Sequence, residues 1–216
     1  VSYSEATSTL FYNQETLMTS RFTLILIALS ALSFATIAHA SEYTVDQSHS
    51  HVGFTAKHMV SKVPGEFKDF SGTLNFDEKN PAAFKADFKI RTSSIDTNEP
   101  KRDAHLKGAD FFDVEKFPEI KFESTALKAA GEKKYKLTGN MTMHGVTKPV
   151  TFDVEYLGAA KDPWGSTHAG FTAVTKIDRK DFGIVWNKML DAGGLLVAND
   201  VGIQLDIDAT PPAAKK

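Results

Sequence analysis

Residues 84–91 read Phe-Lys-Ala-Asp-Phe-Lys-Ile-Arg. In an extended chain Phe84, Ala86, Phe88 and Ile90 share one face, and Lys85, Asp87, Lys89 and Arg91 share the other. Successive side chains of a strand point to opposite sides, so this stretch is a half-buried strand, apolar inside and charged outside. The same period of two recurs downstream. Tyr135, Leu137, Gly139, Met141 and Met143 alternate with Lys136, Thr138, Asn140 and Thr142. Val150, Phe152, Val154 and Tyr156 alternate with Thr151, Asp153 and Glu155, and Val201, Ile203, Leu205 and Ile207 with Gly202, Gln204, Asp206 and Asp208. Less regular strands fit residues 51–60, 66–77, 119–127 and 168–178. The pattern predicts an all-β chain of eight strands with little helix.

Eight amphipathic antiparallel strands leave no unpaired edge if the sheet closes on itself. The expected fold is therefore an eight-stranded antiparallel up-and-down barrel, with a filled β-sandwich as its rival. Alternation alone does not say which face points inward. The many Lys, Asp and Glu residues on the polar faces, and the terminal Thr-Pro-Pro-Ala-Ala-Lys-Lys, favour the water-soluble form over a membrane barrel. A barrel of this size is either filled by its own side chains or holds one small ligand. Its inward positions mix Phe54, Phe76, Phe84, Phe88, Phe122 and Phe152 with Ala56, Gly72, Ala86, Ala126 and Gly139. One reading is an interdigitated core. The other is an apolar tunnel, open where small residues face each other and favouring a hydrocarbon guest by roughly 0.8 kcal/mol per buried CH₂.

Two connections are long, about 92–118 and 179–199. In a meander they follow strands three and seven and so lie at one end, with residues 61–65 and the His144-Gly145 turn. That mouth would gather His58, Arg102, Asp103, His105, His144, Arg179, Asp181, Trp186 and Lys188. Asn98-Glu99-Pro100 reads as a helix start with Asn98 as cap, and a helix to about Leu106 puts Arg102 and Leu106 on one face. Phe182, Val185, Trp186, Met189 and Leu190 have helical spacing that Gly193-Gly194 would stop. These segments would plug the barrel end or form a lid over a pocket.

The 216 residues carry 25 Lys and Arg against 27 Asp and Glu, a net charge of −2. Nucleic-acid binding by a basic face is thereby disfavoured. With Cys at 0, disulfides, thiolate metal sites and a cysteine nucleophile are excluded. His49 and His51 share a strand face with Gly53, whereas His58 points with Val52, Phe54 and Ala56, so the three do not converge. His58, His105 and His144 could meet at the mouth, but no zinc-type spacing enforces it. Asp103 beside Arg102 and His105 reads as a structural ion pair rather than an acid–base group. No catalytic residue, metal or cofactor is assigned. The alternative is an enzyme or metal-dependent protein acting on an apolar substrate through the mouth histidines.

Residues 22–38 form an apolar run after Arg21 and before Ala38-His39-Ala40, the pattern of a cleavable secretory signal peptide over 18–40. Cleavage after Ala40 would start the mature chain at Ser41. Residues 1–17 hold Glu5 and Glu15 and no basic residue, and read as translated sequence upstream of a start at Met18. The barrel would occupy 41–211, with a tail over 212–216, and the product would be exported to a periplasm.

Several ordered motifs then resemble the YceI-like family, described as polyisoprenoid-binding periplasmic proteins. Val45-Asp46-Gln47-Ser48-His49-Ser50 with Val52, Phe54 and His58 resembles the family's opening. Gly65-x-Phe67 and Phe70-x-Gly72 match its second strand. Ser94-Ile95-Asp96-Thr97, Arg102-Asp103-x-His105-Leu106, Phe111-Phe112-Asp113-Val114 and Phe117-Pro118-x-Ile120-x-Phe122 form its most specific block. Leu137-Thr138-Gly139, His144-Gly145-Val146-Thr147-Lys148 and Arg179-x-Asp181-Phe182-Gly183 complete the set, which spans about 43–209. Ala198, where a glycine is common, and the extra His51 are mild departures.

The resemblance implies a lipocalin-like barrel whose elongated apolar pore holds one isoprenoid lipid, quinone or other long-chain amphiphile, with no established enzymatic chemistry. It is compatible with a homodimer. The chain of the ligand is assigned to Phe54, Phe67, Phe76, Phe84, Phe88, Phe122, Met141, Phe152, Phe171 and Trp186. Topology assigns its head group to the mouth, near His58, Arg102, His105, His144 and Arg179. A structural barrel without a ligand is the bland alternative.

Overall fold

The computed structural model describes residues 41–191 and 193–212. The expected leader over 18–40, the extension over 1–17 and most of the tail lie outside these residues. Eleven strand segments follow in order: β1 (Ser41–Val45), β2 (His51–His58), β3 (Ser61–Phe67), β4 (Phe70–Phe76), β5 (Lys85–Arg91), β6 (Ile95–Asp96), β7 (Glu119–Gly131), β8 (Lys134–Met143), β9 (Val146–Lys161), β10 (Thr167–Asp178) and β11 (Val197–Thr210). All pair antiparallel with their neighbours, and β1 pairs with β11 to close the barrel. The sandwich rival is thereby removed.

The first three barrel strands are bent, and each is split into two segments. β2 pairs with β11 through Asp206, while β1 takes up the same edge at Ala209 and Thr210. Across the gap the Asp46 N–H donates to Asp208 O at 2.8 Å. Asp46 makes the bend by accepting from the Ser48 N–H at 2.9 Å, which turns Gln47–His49 into a short 3₁₀ segment. His49 therefore leaves the strand, so the face-sharing with His51 expected from parity does not arise. β3 and β4 bend at Lys68-Asp69, and β5 and β6 at Thr92–Ser94. The ladder continues through Lys68 N–H to Ser94 O (3.2 Å) and Arg91 N–H to Asp69 O (2.9 Å). Each bent pair is one strand, so the eleven segments make the eight strands of a closed barrel.

The inward face is the apolar one. Val52, Phe67, Phe70, Leu74, Phe76, Ala86, Ile120, Phe122, Leu137, Met141, Phe152, Val154, Phe171 and Ile207 are buried. Lys85, Asp87, Lys89 and Arg91 are exposed on the outside, the reverse of a bilayer-spanning barrel. Among the described residues no helix is long and apolar enough to cross a membrane.

Two of the small inward residues, Gly72 and Gly139, leave no gap beside them, whereas Ala56 and Ala86 border open space inside the barrel. Phe54 and Gly65 are direct cross-strand partners, as are Phe88 and Gly72. In each pair a Cβ on the glycine would fall against the phenyl ring, and Gly139 is covered in the same way by Phe122. Glycine is used there because the ring takes its place.

The connections after strands one, three, five and seven share one end, as the meander requires. The first is the tight Met59-Val60 turn rather than 61–65, because Pro64 and Gly65 are paired with Thr55 and Phe54 inside the sheet. The second holds the one α-helix of the described residues, α1 (Pro100–Lys107). Its cap is Glu99, whose side chain accepts from the Lys101 N–H at 2.9 Å; Asn98, the expected cap, sits one residue earlier at φ 62°. The last connection forms a 3₁₀ turn over Arg179–Phe182 but no helix over 183–190. Gly183 (φ 78°) ends the turn, and the Asn187 side chain ties the following segment to Val197, accepting from its N–H at 3.1 Å and donating to its O at 2.6 Å. Met189 then bridges to Leu195, with Gly193 and Gly194 at positive φ in the tip. Apolar spacing there reflects a strapped hairpin, not a helical turn.

Candidate functional site: an apolar lumen under a two-part roof

Closing eight strands leaves a bore that the inward side chains fill unevenly. On β8 and β9 the inward residues Leu137, Met141, Met143, Val150, Phe152 and Val154 are buried. On the opposite wall Phe54, Ala56, Phe88, Ile90, Val201, Ile203 and Leu205 also point inward, yet remain half-buried. An inward apolar residue of a closed barrel keeps exposed surface because it borders a void. That void is a cavity of about 200 Å³. It exceeds the ~150 Å³ of an engineered apolar cavity that binds benzene. Its exposed wall is entirely apolar.

Rings close the floor of the lumen. Phe76 packs against Tyr156 (centroids 4.8 Å apart), Phe171 (5.3 Å), Tyr135 (6.0 Å) and Phe84 (6.1 Å). Tilted and edge-to-face arrangements of this kind are the favoured ones. Burial pushes the Tyr156 hydroxyl pKa up, in keeping with its place in this apolar cluster.

The roof comes from the two long connections. Leu106, Phe111 and Phe112 from the first, and Arg179 and Ile184 from the second, border the cavity. The two parts meet where Trp186 packs on Phe111 (5.1 Å) and on His105 (4.9 Å). Helix α1 is fixed to the end of β6 by a polar knot. Asp103 accepts from the Thr97 N–H at 2.9 Å and from its hydroxyl. Arg102 donates to Thr97 Oγ1 and Thr97 O, both at 2.7 Å. These groups hold the roof in place and satisfy a buried threonine; they do not face the lumen.

Of the residues expected to hold a ligand, Phe54, Phe67, Phe84, Phe88, Phe122, Met141, Phe152, Phe171 and Arg179 border the cavity. Phe76 stands behind the floor, and Trp186 joins the two halves of the roof. The mouth histidines do not gather. His58 is exposed at the end of β2, and His105 contacts Asp110 at 2.9 Å. His144 lies 3.2 Å from Phe182 O and stacks on Phe117 at 4.6 Å. Among the described residues no cluster of His, Asp and Glu could hold a metal ion.

Sequence reasoning missed Leu106, Phe111, Phe112 and Ile184 as cavity residues. They sit in connections where no period of two exists to assign a direction. It also missed how deeply Arg179 is buried. Asp178 accepts from the Lys180 N–H at 2.8 Å and starts the turn that carries the guanidinium inward. An Asp-x-Lys cap around an arginine was the available cue.

The sequence and fold have clear relatives. The family model for the YceI-like domain matches residues 43–209. Protein YceI of Salmonella arizonae is 48% identical over 160 residues, covering 72% of this chain and 83% of that protein. The crystal structure of Burkholderia cenocepacia BcnA superposes with a TM-score of 0.68 at 30% identity, over 77% of this chain and 99% of that one. The Campylobacter jejuni YCEI protein gives 0.62 at 32% identity, over 71% and 88%. A polyisoprenoid binding domain from Saccharophagus degradans shares the fold alone, with a TM-score of 0.59 at 15% identity over 81% and 99%. The matched region covers the barrel from β1 to the end of β11, roof segments included, and the chain belongs to the YceI-like family.

Proposed function

We propose that the protein is an exported carrier that holds one long-chain isoprenoid lipid, of the polyprenyl or isoprenoid quinone type, in its lumen. The observation that carries this is the wholly apolar wall of the cavity, with inward aliphatic and aromatic side chains left half-buried around it. Water in such a space forfeits its hydrogen bonds, whereas a hydrocarbon gains about 0.8 kcal/mol for each CH₂ removed from solvent. Polyisoprenoid binding in a domain of the same fold supports this class of guest. Binding rather than catalysis fits the mouth, where His105 and His144 are engaged with Asp110 and with the Phe182 carbonyl. Export rests on the apolar run and the Ala38-His39-Ala40 site, with a mature start at Ser41 in the periplasm.

The test is to purify the protein from its native compartment, extract it with organic solvent and identify the extract by mass spectrometry. The expected result is one long isoprenoid per protein and an N-terminus at Ser41. A lipid-free protein that also takes up no added polyprenol would reject the carrier role. A retained leader would reject export through cleavage.

A further inference from the structure

Met59, Val60, Val185, Met189 and Leu195 are large apolar side chains exposed at the roof end of the barrel. They belong to two connections that are bonded to each other. The Met59 N–H donates to Leu196 O at 2.9 Å, and His58 pairs with Val197. The Leu196 N–H in turn donates to Lys188 O at 2.9 Å, and Met189 bridges to Leu195. The turn after β2 and the hairpin before β11 therefore form one rim.

The residues at its tips are not those that tight turns favour. A two-residue hairpin turn prefers Asn-Gly or Asp-Gly, because its central residues adopt positive φ. Here the turn is Met59-Val60, with Met59 at φ 52° and Val60 93% exposed. Met189 is 75% exposed in the other tip. Single apolar residues scattered over a surface are ordinary, but a group of them on bonded tips marks a contact site.

Charge points to the partner. Lys57 and Lys62 flank the turn and are direct cross-strand partners, although like charges placed opposite each other weaken a strand pair. Lys188 stands beside Met189, and His58 beside Met59; all four are exposed. The ion pairs of the described lysines involve Lys68, Lys116, Lys121, Lys136 and Lys176, not these three. Asp191 is the one acid of residues 57–62 and 185–195. The rim is thus basic on a chain whose net charge is −2. A second copy seated on it by two-fold symmetry would bring the same lysines together. An anionic lipid surface would accept both features, the apolar tips at the acyl boundary and the ammonium groups at the phosphates.

We propose that this rim is a membrane-docking surface, on which Met59, Val60 and Met189 enter the interface of an anionic phospholipid bilayer and Lys57, Lys62 and Lys188 lie at its phosphates. Ala56, Ile184 and Val197, on or next to the same segments, border the cavity, so docking sets the roof end of the lumen against the bilayer. The assignment stands on surface residues and does not depend on what the lumen holds.

The experiment is co-sedimentation of the protein with vesicles of phosphatidylcholine alone and of an equal mixture of phosphatidylcholine and phosphatidylglycerol. The wild type should bind the mixed vesicles roughly tenfold or more tightly than the neutral ones, and high salt should erase most of the difference. Val60→Asp and Met189→Asp, at positions where the fold has little at stake, should each weaken binding about tenfold. Lys57→Ala and Lys62→Ala should each weaken it about fivefold, the effect of one lysine near an anionic surface. Trp164, 89% exposed in the β9–β10 connection at the opposite end, serves as the control, and Trp164→Ala should bind as the wild type does. A wild type that ignores the mixed vesicles overturns the proposal, and it needs no variant. Binding that survives in both aspartate variants, or that is lost in Trp164→Ala instead, also overturns it. So does a dimer in solution that Val60→Asp dissociates, which would give the rim to a second copy of the chain.

Discussion

The Phe54 ring lies across Gly65, its direct partner on the neighbouring strand, where any larger residue would have its Cβ. Gly65→Ala should therefore destabilise the barrel by about 1–3 kcal/mol, the usual cost of overpacking. Denaturant unfolding measures this. Phe54→Leu in the same background should recover part of the loss, because the pair is coupled. An unchanged midpoint in Gly65→Ala would contradict the close stacking.

Ala56 presents the opposite situation. It also points inward, but it borders the cavity. Ala56→Phe should cost less than about 1 kcal/mol, because the ring enters space instead of displacing a neighbour. The same substitution should weaken uptake of a fluorescent lipid by roughly tenfold or more, since the ring takes the volume in which about two CH₂ groups would be buried. Normal uptake with normal stability would mean that the lipid lies elsewhere.

The roof should loosen when its polar knot is cut. Asp103→Ala leaves the N–H of the buried Thr97 without its acceptor, at a cost of about 1–3 kcal/mol. Because Leu106, Phe111 and Phe112 follow this knot in the same connection, release of bound lipid should accelerate along with the loss of stability. Stopped-flow displacement reads the first quantity and thermal unfolding the second.

Two groups near the closed end give the fold opposite responses to pH. His168 Nδ1 lies 2.8 Å from Asp208 Oδ1, and Nε2 lies 3.5 Å from Asp162 Oδ2. The Asp208 hydrogen bond, foremost, raises the His168 pKa above its ordinary 6.5. Its contribution is complete below that value and is lost as pH rises through the higher folded value. The melting temperature should thus fall between pH 6 and 8 (~2 units of titration around the histidine range). His168→Gln should flatten that slope. Asp46 behaves in reverse. Its bonds with Ser48, and then His49, lower its pKa from 3.8 to about 2. Its support is present above 3.8 and disappears as acid takes the pH down through about 2.

At the floor, Phe76→Ala should cost about 3–5 kcal/mol, the range for a buried phenyl that leaves a cavity. Four rings lose their common neighbour at once. A loss below ~1 kcal/mol would mean that the cluster collapses around the deletion.

The barrel was legible because burial imposes a strict period of two on residues such as Phe84–Arg91 and Val150–Tyr156. The meander followed from it, and so did the end at which Arg102, His105, His144 and Arg179 lie. Tertiary pairing escaped the pattern. The bend at Asp46–Ser50 depends on Asp208, more than a hundred and fifty positions away (Ser50 Oγ to Asp208 O spans 158 residues). Over 183–190 the apolar spacing suited a helix, but Gly183 and the Asn187 ties to Val197 decided otherwise. Of the small inward residues, Gly72 and Gly139 are covered by the rings of Phe88 and Phe122, while Ala56 and Ala86 do border open space. Alternation gives a side chain's direction but not its reach.

The ring-sealed floor makes the lumen a blind alley. A guest cannot be threaded through or pushed out from behind, so the tail that enters first must leave last. One lipid has to depart before the next can load, and the speed of exchange is then set by departure alone, whatever the supply of newcomers. If the protein is a carrier, as proposed, an acceptor takes its cargo by the end nearest the roof, which is where Arg179 stands.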